Sequence, residues 1–309
     1  LTNTAENERF VSWGPKGKSV IYSSERNGKW SVYKTEKVRK EEPFFYAATL
    51  VKESSLINTK VDNYLAEYSP DGTKVAFIEN RKTLKIRDVK TKKEVTLLTP
   101  KDLFHMRDGD KYFTWSPDSN WLLVDWSKTL SNSEVLLMAA DGSKRINLNE
   151  SGYYDYYPKW VNDGKQMLWF SNRNGLKSYA TSGRSQSDVY AMYFTQNAWD
   201  ESNLSDEDYK LMQAIKEAEK KKKEEEKKSK KDDKKHLKKD NKSKDKKKDT
   251  DQKDKVKTLK FDWENMKDRT KRLTIHSSNL GDAVLSKKGD FLYYLASFEG
   301  KSNLWSTNL

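Results

Sequence analysis

The sequence predicts an all-β protein built as a propeller: five recognisable four-stranded blade units, with an inserted helix and a disordered Lys-rich loop. Three observations carry this. The stretch Phe113-Thr114-Trp115-Ser116-Pro117-Asp118 recurs, most closely as Glu67-Tyr68-Ser69-Pro70-Asp71-Gly72. It returns more weakly around Trp13, Trp160 and Leu285. Each copy is followed by a short apolar run: Val20-Ile21-Tyr22, Val75-Ala76-Phe77-Ile78, Trp121-Leu122-Leu123-Val124, Met167-Leu168-Trp169-Phe170 and Phe291-Leu292-Tyr293-Tyr294-Leu295. The copies lie 55, 47, 45 and 125 residues apart, and the last interval falls to 53 once the 72 residues 198–269 are set aside. Extended segment, Pro-Asp-Gly turn, extended segment is the chemistry of a hairpin, and a period near fifty suits a blade of short strands.

Unit one starts at Arg9, with its hairpin closed by Asn27-Gly28, a turn pair that tolerates positive φ. Its outer strand is expected in the aromatic run Phe44-Phe45-Tyr46-Ala47-Ala48-Thr49-Leu50-Val51. Unit two, residues 63–99, is the most regular. Unit three carries Trp115, Trp121 and Trp126, enough aromatic surface to pack between blades. Unit four adds Tyr153, Tyr154, Tyr156 and Tyr157 before Trp160, and a long loop, residues 174–188, between its middle strands. Unit five follows the insertion and stops on a third strand. The expected organisation is blades one to four in residues 1–197, the insertion in 198–269, and blade five, of the same domain, in 270–309.

The formal charge of +13 would suggest nucleic acid or anionic lipid were it spread over the fold. It is not, because residues 210–260 hold 23 Lys against 12 Asp or Glu. The segment 220–260 is too poor in apolar residues to offset the entropy of ordering, and its Lys runs are broken by acids with no interleaved aromatic. It reads as a solvated spacer, with no nucleic-acid partner expected. Ahead of it, Ser205 and Asp208 form a capping-box pattern, and Leu211, Met212, Ile215 and Ala218 share a face, so a helix from Ser205 to about Lys228 should pack at its start. No apolar run is long enough to span a bilayer. The absence of Cys excludes disulfides and leaves the compartment open.

Catalytic constellations are missing. The three His are His105, His236 and His276. Gly183-Arg184-Ser185-Gln186-Ser187 lacks the second Gly of a nucleophile elbow. Asp71, Asp118 and Asp163 are read as turn residues, the His set is too sparse for a metal, and no Gly-rich loop would cradle a phosphate. No catalytic residue, metal or cofactor is assigned. Binding remains. The first strand of a blade lines the channel, so residues just before each Trp115-equivalent face its mouth: Arg9, Tyr64, Tyr112, Tyr153, Tyr154, Tyr156, Tyr157 and Asp282. Tyr offers apolar area and a hydroxyl at small entropic cost, which suits loose recognition of polypeptide.

The Trp-Ser-Pro-Asp-Gly repeat resembles that of TolB-like propellers, prolyl-oligopeptidase relatives and tricorn proteases. Glu42-Pro43-Phe44-Phe45-Tyr46, Trp169-Phe170-Ser171-Asn172-Arg173-Asn174-Gly175, Leu204-Ser205-Asp206-Glu207-Asp208 and Asp268-Arg269-Thr270-Lys271-Arg272-Leu273-Thr274 are similar to the N-terminal propeller of bacterial tricorn-type serine peptidases. The resemblance implies that the five units are part of a six- or seven-bladed propeller, a non-catalytic one that gates peptide or unfolded polypeptide for PDZ-like and peptidase domains elsewhere in a parent chain. It also implies a bacterial periplasmic or extracytoplasmic setting over a cytoplasmic one, and a homo-oligomer as an option. The alternative is a TolB-like protein–protein interaction scaffold without protease activity.

Overall fold

A computed structural model describes residues 2, 4–39, 41–102, 113–129, 132–178, 185–236, 257–287, 289–298 and 300–309. It is an all-β propeller of five antiparallel sheets joined in chain order, with two helices among the described residues. Blade one comprises β1 (Asn7–Trp13), β2 (Ser19–Arg26), β3 (Lys29–Lys37) and β4 (Val51–Ile57). Blade two comprises β5 (Asn63–Tyr68), β6 (Lys74–Glu79), β7 (Thr83–Asp88) and β8 (Glu94–Leu98). Blade three comprises β9 (Phe113–Trp115), β10 (Trp121–Thr129), β11 (Asn132–Ala139) and β12 (Arg145–Asn147). Blade four comprises β13 (Asp155–Val161), β14 (Gln166–Ser171), β15 (Asp188–Tyr193) and, after the insertion, β16 (Thr270–Arg272). Blade five has β17 (Asn279–Leu285), β18 (Phe291–Phe298) and β19 (Lys301–Asn308).

Among the described residues the fifth unit is a three-stranded sheet, ending on the third strand read from its sequence. One expectation is corrected. In blade one the outer strand is Val51–Ile57, not the aromatic run before it. Phe45–Ala47 instead forms a 3-10 turn, with Phe44 and Tyr46 stacked at 5.3 Å and Phe45 buried against Trp13. Strand propensity misled there: the ladder goes to the stretch whose end, Leu56 and Ile57, can be buried against blade two.

The repeat motif works as a turn. Ser69 donates to the Asp71 carboxylate at 2.7 Å while Asp71 accepts the Thr73 N–H at 2.9 Å. Ser116 and Asp118 repeat the first bond at 2.6 Å, and Asp118 accepts from Asn120 N–H at 3.2 Å. Gly72 and Gly164 take φ of 74° and 82°, which costs glycine nothing.

Interleaved apolar faces hold the blades together. Blades one and two share Ile21, Val32, Ile57, Ala66, Val75 and Phe77; blades two and three share Ile78, Leu84, Leu98, Phe113, Leu122 and Leu136; blades three and four share Leu123, Leu137, Met167, Trp169, Tyr190 and Phe194. Each fully buried aliphatic or aromatic side chain contributes about 1.5–3 kcal/mol relative to exposure. Blade five differs: on β18, Leu292, Tyr294 and Ala296 are buried, whereas the alternate Phe291, Tyr293 and Leu295 are exposed. Their cross-strand partners on the same face include Val284 and Leu304, also exposed.

Compactness divides the chain into Leu1–Phe194 with Lys257–Leu309, and Thr195–Val256. The second unit holds α1 (Gln196–Ser202), capped by the Thr195 hydroxyl accepting Ala198 N–H at 3.2 Å, and α2 (Asp206–His236). Ser205 caps α2 as its sequence pattern requires, accepting from Asp208 N–H at 3.2 Å and donating to that carboxylate at 2.7 Å. The helix runs past Lys228, to His236. Its apolar stripe does not pack as expected: Leu211 and Ile215 are 61% and 52% exposed. No described helix is long and apolar enough to cross a membrane. The rest of the Lys-rich tract, 237–256, lies outside the described residues.

Candidate binding surface at the inner-strand rim

The motif positions share one register. Trp13, Tyr68, Trp115, Trp160 and Leu285 each pair with the residue seven places on: Val20, Val75, Leu122, Met167 and Leu292. The first strand of every blade is a sheet edge, and β1 packs against β5 and β9 against β13, so these strands lie on the axis side. Residues preceding the motif stand toward the start of each blade's first strand.

A feature invisible to sequence reasoning shapes that rim. The ladder slips by one residue between Arg9 and Ser12, Tyr64 and Glu67, Tyr156 and Lys159, and Leu280 and Asp282. These are β-bulges at equivalent places in four blades. Phe10, Leu65 and Tyr157 sit in them at φ of 57°, 52° and 55°, a left-handed conformation unusual for bulky residues. A bulge bends the inner strand and turns the side chains before it away from the sheet face.

The expected site residues separate into groups. Arg9 is exposed, with its guanidinium 5.6 Å from the Trp30 ring centroid. Tyr64 does not reach the open rim; it is 4% exposed and packs on Phe10 at 6.1 Å, because the neighbouring blade covers it. Tyr112 lies outside the described residues. Tyr153, Tyr154 and Tyr157 remain 37%, 42% and 49% exposed. Tyr156 is half-buried between Tyr154 and Phe170, at 5.2 and 5.5 Å, and its hydroxyl donates to Ser187 at 3.2 Å. Burial pushes the Tyr156 phenol up, partly offset by the Ser187 bond. Tyr157 N–H donates to the Asp125 carboxylate at 3.0 Å, tying the bulge to blade three.

Asp282 meets Lys159 across the boundary of blades four and five, and the same ammonium donates to the Ala283 carbonyl at 3.1 Å. Partial burial pushes the Asp282 carboxyl up, but the Lys159 bond and the Ala283 N–H outweigh it and hold the group below the usual range.

Sequence reasoning missed two cations. The Arg173 guanidinium sits 5.7 Å from the Tyr153 ring and 5.1 Å from Tyr190, and Lys177 stands 5.1 Å from Tyr153. Their signal was position: Asn172-Arg173-Asn174-Gly175 leaves β14 at the end where β13 begins. Gly175 is required there, since a Cβ would sit 2.1 Å from the Gln186 carbonyl oxygen.

Among the described residues the surface thus offers aromatic faces and cations and no acid–base–nucleophile set. Ser185 is exposed on the loop, with Gly183 and Arg184 outside the described residues. His276 is exposed between β16 and β17, His236 ends α2, and His105 is not among the described residues. No group of three or more metal-ligating side chains forms among the described residues.

No protein-family model and no curated protein matches the chain. Among solved structures it is similar to tricorn protease, at 10% identity and a TM-score of 0.54, over 93% of this chain and 23% of that one. Two weaker likenesses are to a TolB from Agrobacterium tumefaciens (18% identity, TM-score 0.40, 59% of this chain and 60% of that one) and to a prolyl endopeptidase (16%, 0.41, 61% and 28%). The chain therefore spans under a quarter of tricorn protease, and the likeness speaks to the propeller fold alone.

Proposed function

We propose that this chain is a non-catalytic propeller module that binds extended or unfolded polypeptide at its inner-strand rim, for a peptidase domain outside the chain. The observation that supports the reading is the cluster of exposed Tyr153, Tyr154 and Tyr157 at the start of β13, with Arg173 and Lys177 beside the Tyr153 ring. Exposed phenol rings with flanking cations suit backbone amides, mixed side chains and chain ends without demanding one sequence. The likeness to a stretch of tricorn protease is consistent with a propeller working beside a peptidase, and PDZ-like and catalytic domains would be its natural neighbours.

The test is fluorescence polarisation of a labelled, reduced and alkylated polypeptide, with cleavage followed on gels. The expected result is weak saturable binding, no hydrolysis, and affinity lowered about five-fold or more when Tyr153, Tyr154 and Tyr157 are all changed to Ser. Equal affinity of the triple variant, with its fold intact by circular dichroism, overturns the reading.

A further inference from the structure

A second feature lies on the opposite, outer edge of the propeller. A cavity of about 490 Å³ opens beside β12 and is bounded across from it by Trp263–Asp268, the segment that leads into β16. Its floor is apolar, formed by half-buried Ile146 with buried Leu148 and Met266. One wall is Trp263, stacked on Phe261 at 4.9 Å and in turn close to Trp121 at 5.8 Å. The Lys144 ammonium lies 3.4 Å from the Trp263 ring centroid and has no carboxylate partner among the described residues.

The backbone of β12 supplies the other half of the observation. Ala139 N–H donates to the Lys144 carbonyl and Leu148 N–H to the Val135 carbonyl, each at 2.9 Å, so the even-numbered residues bond to β11. The N–H and C=O groups of Arg145 and Asn147 therefore point to the outer side, where no strand pairs among the described residues. An open edge of this kind is completed by an extended chain.

We propose that this edge and cavity form an outer-rim docking site for a partner polypeptide, bound as an added strand along β12. One apolar side chain of the partner would enter the cavity, and a flanking carboxylate would meet Lys144. The backbone edge selects an extended peptide, the floor an aliphatic residue, and the Lys144 ammonium an acidic neighbour, since Lys267, which also lines the cavity, is held by Glu150. The site is distinct from the inner-strand rim and does not depend on binding there.

The experiment uses the 309-residue chain and the labelled peptide acetyl-Glu-Leu-Thr-Val-Glu-amide, with a Lys-for-Glu control peptide. Saturable binding is expected for the acidic peptide, at least about five-fold tighter than the control, and reversed in preference by Lys144→Glu. Backbone N-methylation at alternate residues should abolish binding in one phase and spare it in the other, because only one edge of the peptide faces β12. Equal binding of both methylated forms, or no charge preference, overturns the proposal. So does loss on changing Tyr157 but not Lys144 or Trp263, which would assign the peptide to the inner rim. A dimer broken by Lys144→Glu without peptide affinity would make the occupant a second copy and overturn it equally.

Discussion

Trp160 donates its indole N–H to the carbonyl of Thr114 at 3.2 Å, and Trp115 does the same to Glu67 at 3.3 Å. In both cases the motif Trp of one blade reaches the residue immediately before the motif aromatic of the blade before it. The repeat therefore marks a turn and also carries a bond that sets the angular step between blades. Trp13 stands in the same position of blade one and is 62% exposed.

The bond predicts a graded mutational response. Trp115→Phe and Trp160→Phe should each destabilise by about 1–2 kcal/mol, since a partly buried carbonyl loses its donor. Trp13→Phe should stay within about 0.5 kcal/mol, as an exposed site would. Urea midpoints of the three variants check this; equal losses at all three positions would show that the indole bond is not the cause.

A second prediction concerns the chain's return from the insertion. Asp188 is fully buried and accepts from Arg272 Nε and Nη2 at 3.0 and 2.8 Å, from the Thr274 hydroxyl at 2.8 Å and from Ser277 at 2.7 Å. One carboxylate thus locks β16 and the lead into blade five onto β15. Asp188→Ala leaves these donors without their acceptor and should cost about 3 kcal/mol or more. Hydrogen exchange should show β16 and β17 losing protection before blades one to three.

How much of this was legible in the sequence depends on which force sets each feature. The hairpin units and their common register were readable because Pro-Asp-Gly chemistry and alternating apolar runs are local. The Ser205 cap was readable for the same reason. Blade one's outer strand was misplaced because Phe44, Phe45 and Tyr46 have strong strand propensity, while burial of Ile57 against Val75 and Phe77 decides the ladder. Tyr64 and Tyr157 both precede a motif aromatic, yet one is 4% and the other 49% exposed. Tyr64 aligns with half-buried Tyr156, whereas Tyr157 occupies the bulge position that Leu65 holds in blade two, and no local pattern encodes the bulge. Arg173 was overlooked because its partners Tyr153 and Tyr190 come from different strands.

The Lys159–Asp282 contact gives a pH dependence with a defined sign. The folded-state pKa of Asp282 is depressed, so its stabilisation is present above the unfolded aspartate value of about 3.9 and is lost as pH falls through the folded value. Between about pH 5 and pH 3, wild type should lose the advantage it holds over Asp282→Asn, with salt reducing the difference because the pair is partly exposed. Thermal midpoints of both proteins across that range check it; a constant difference would mean the pair contributes nothing.

The bulges make the last prediction, and it reverses an ordinary rule. In a regular strand Gly is worse than Ala, because it loses more freedom on folding and packs nothing. Leu65 sits at φ 52°, where a Cβ is strained by roughly 1–2 kcal/mol and glycine is not. Leu65→Ala keeps the strain and loses the packed side chain, whereas Leu65→Gly loses the side chain and relieves the strain. The Gly variant should be the more stable of the two by about 1 kcal/mol, measured by urea denaturation. At Ile78, a regular position on the next strand, the order should be the usual one, with Ala above Gly. If Ala exceeds Gly at both positions, the left-handed turn of the inner strand is not a property of the folded protein. The side chains at the start of that strand would then not be set at the rim by it.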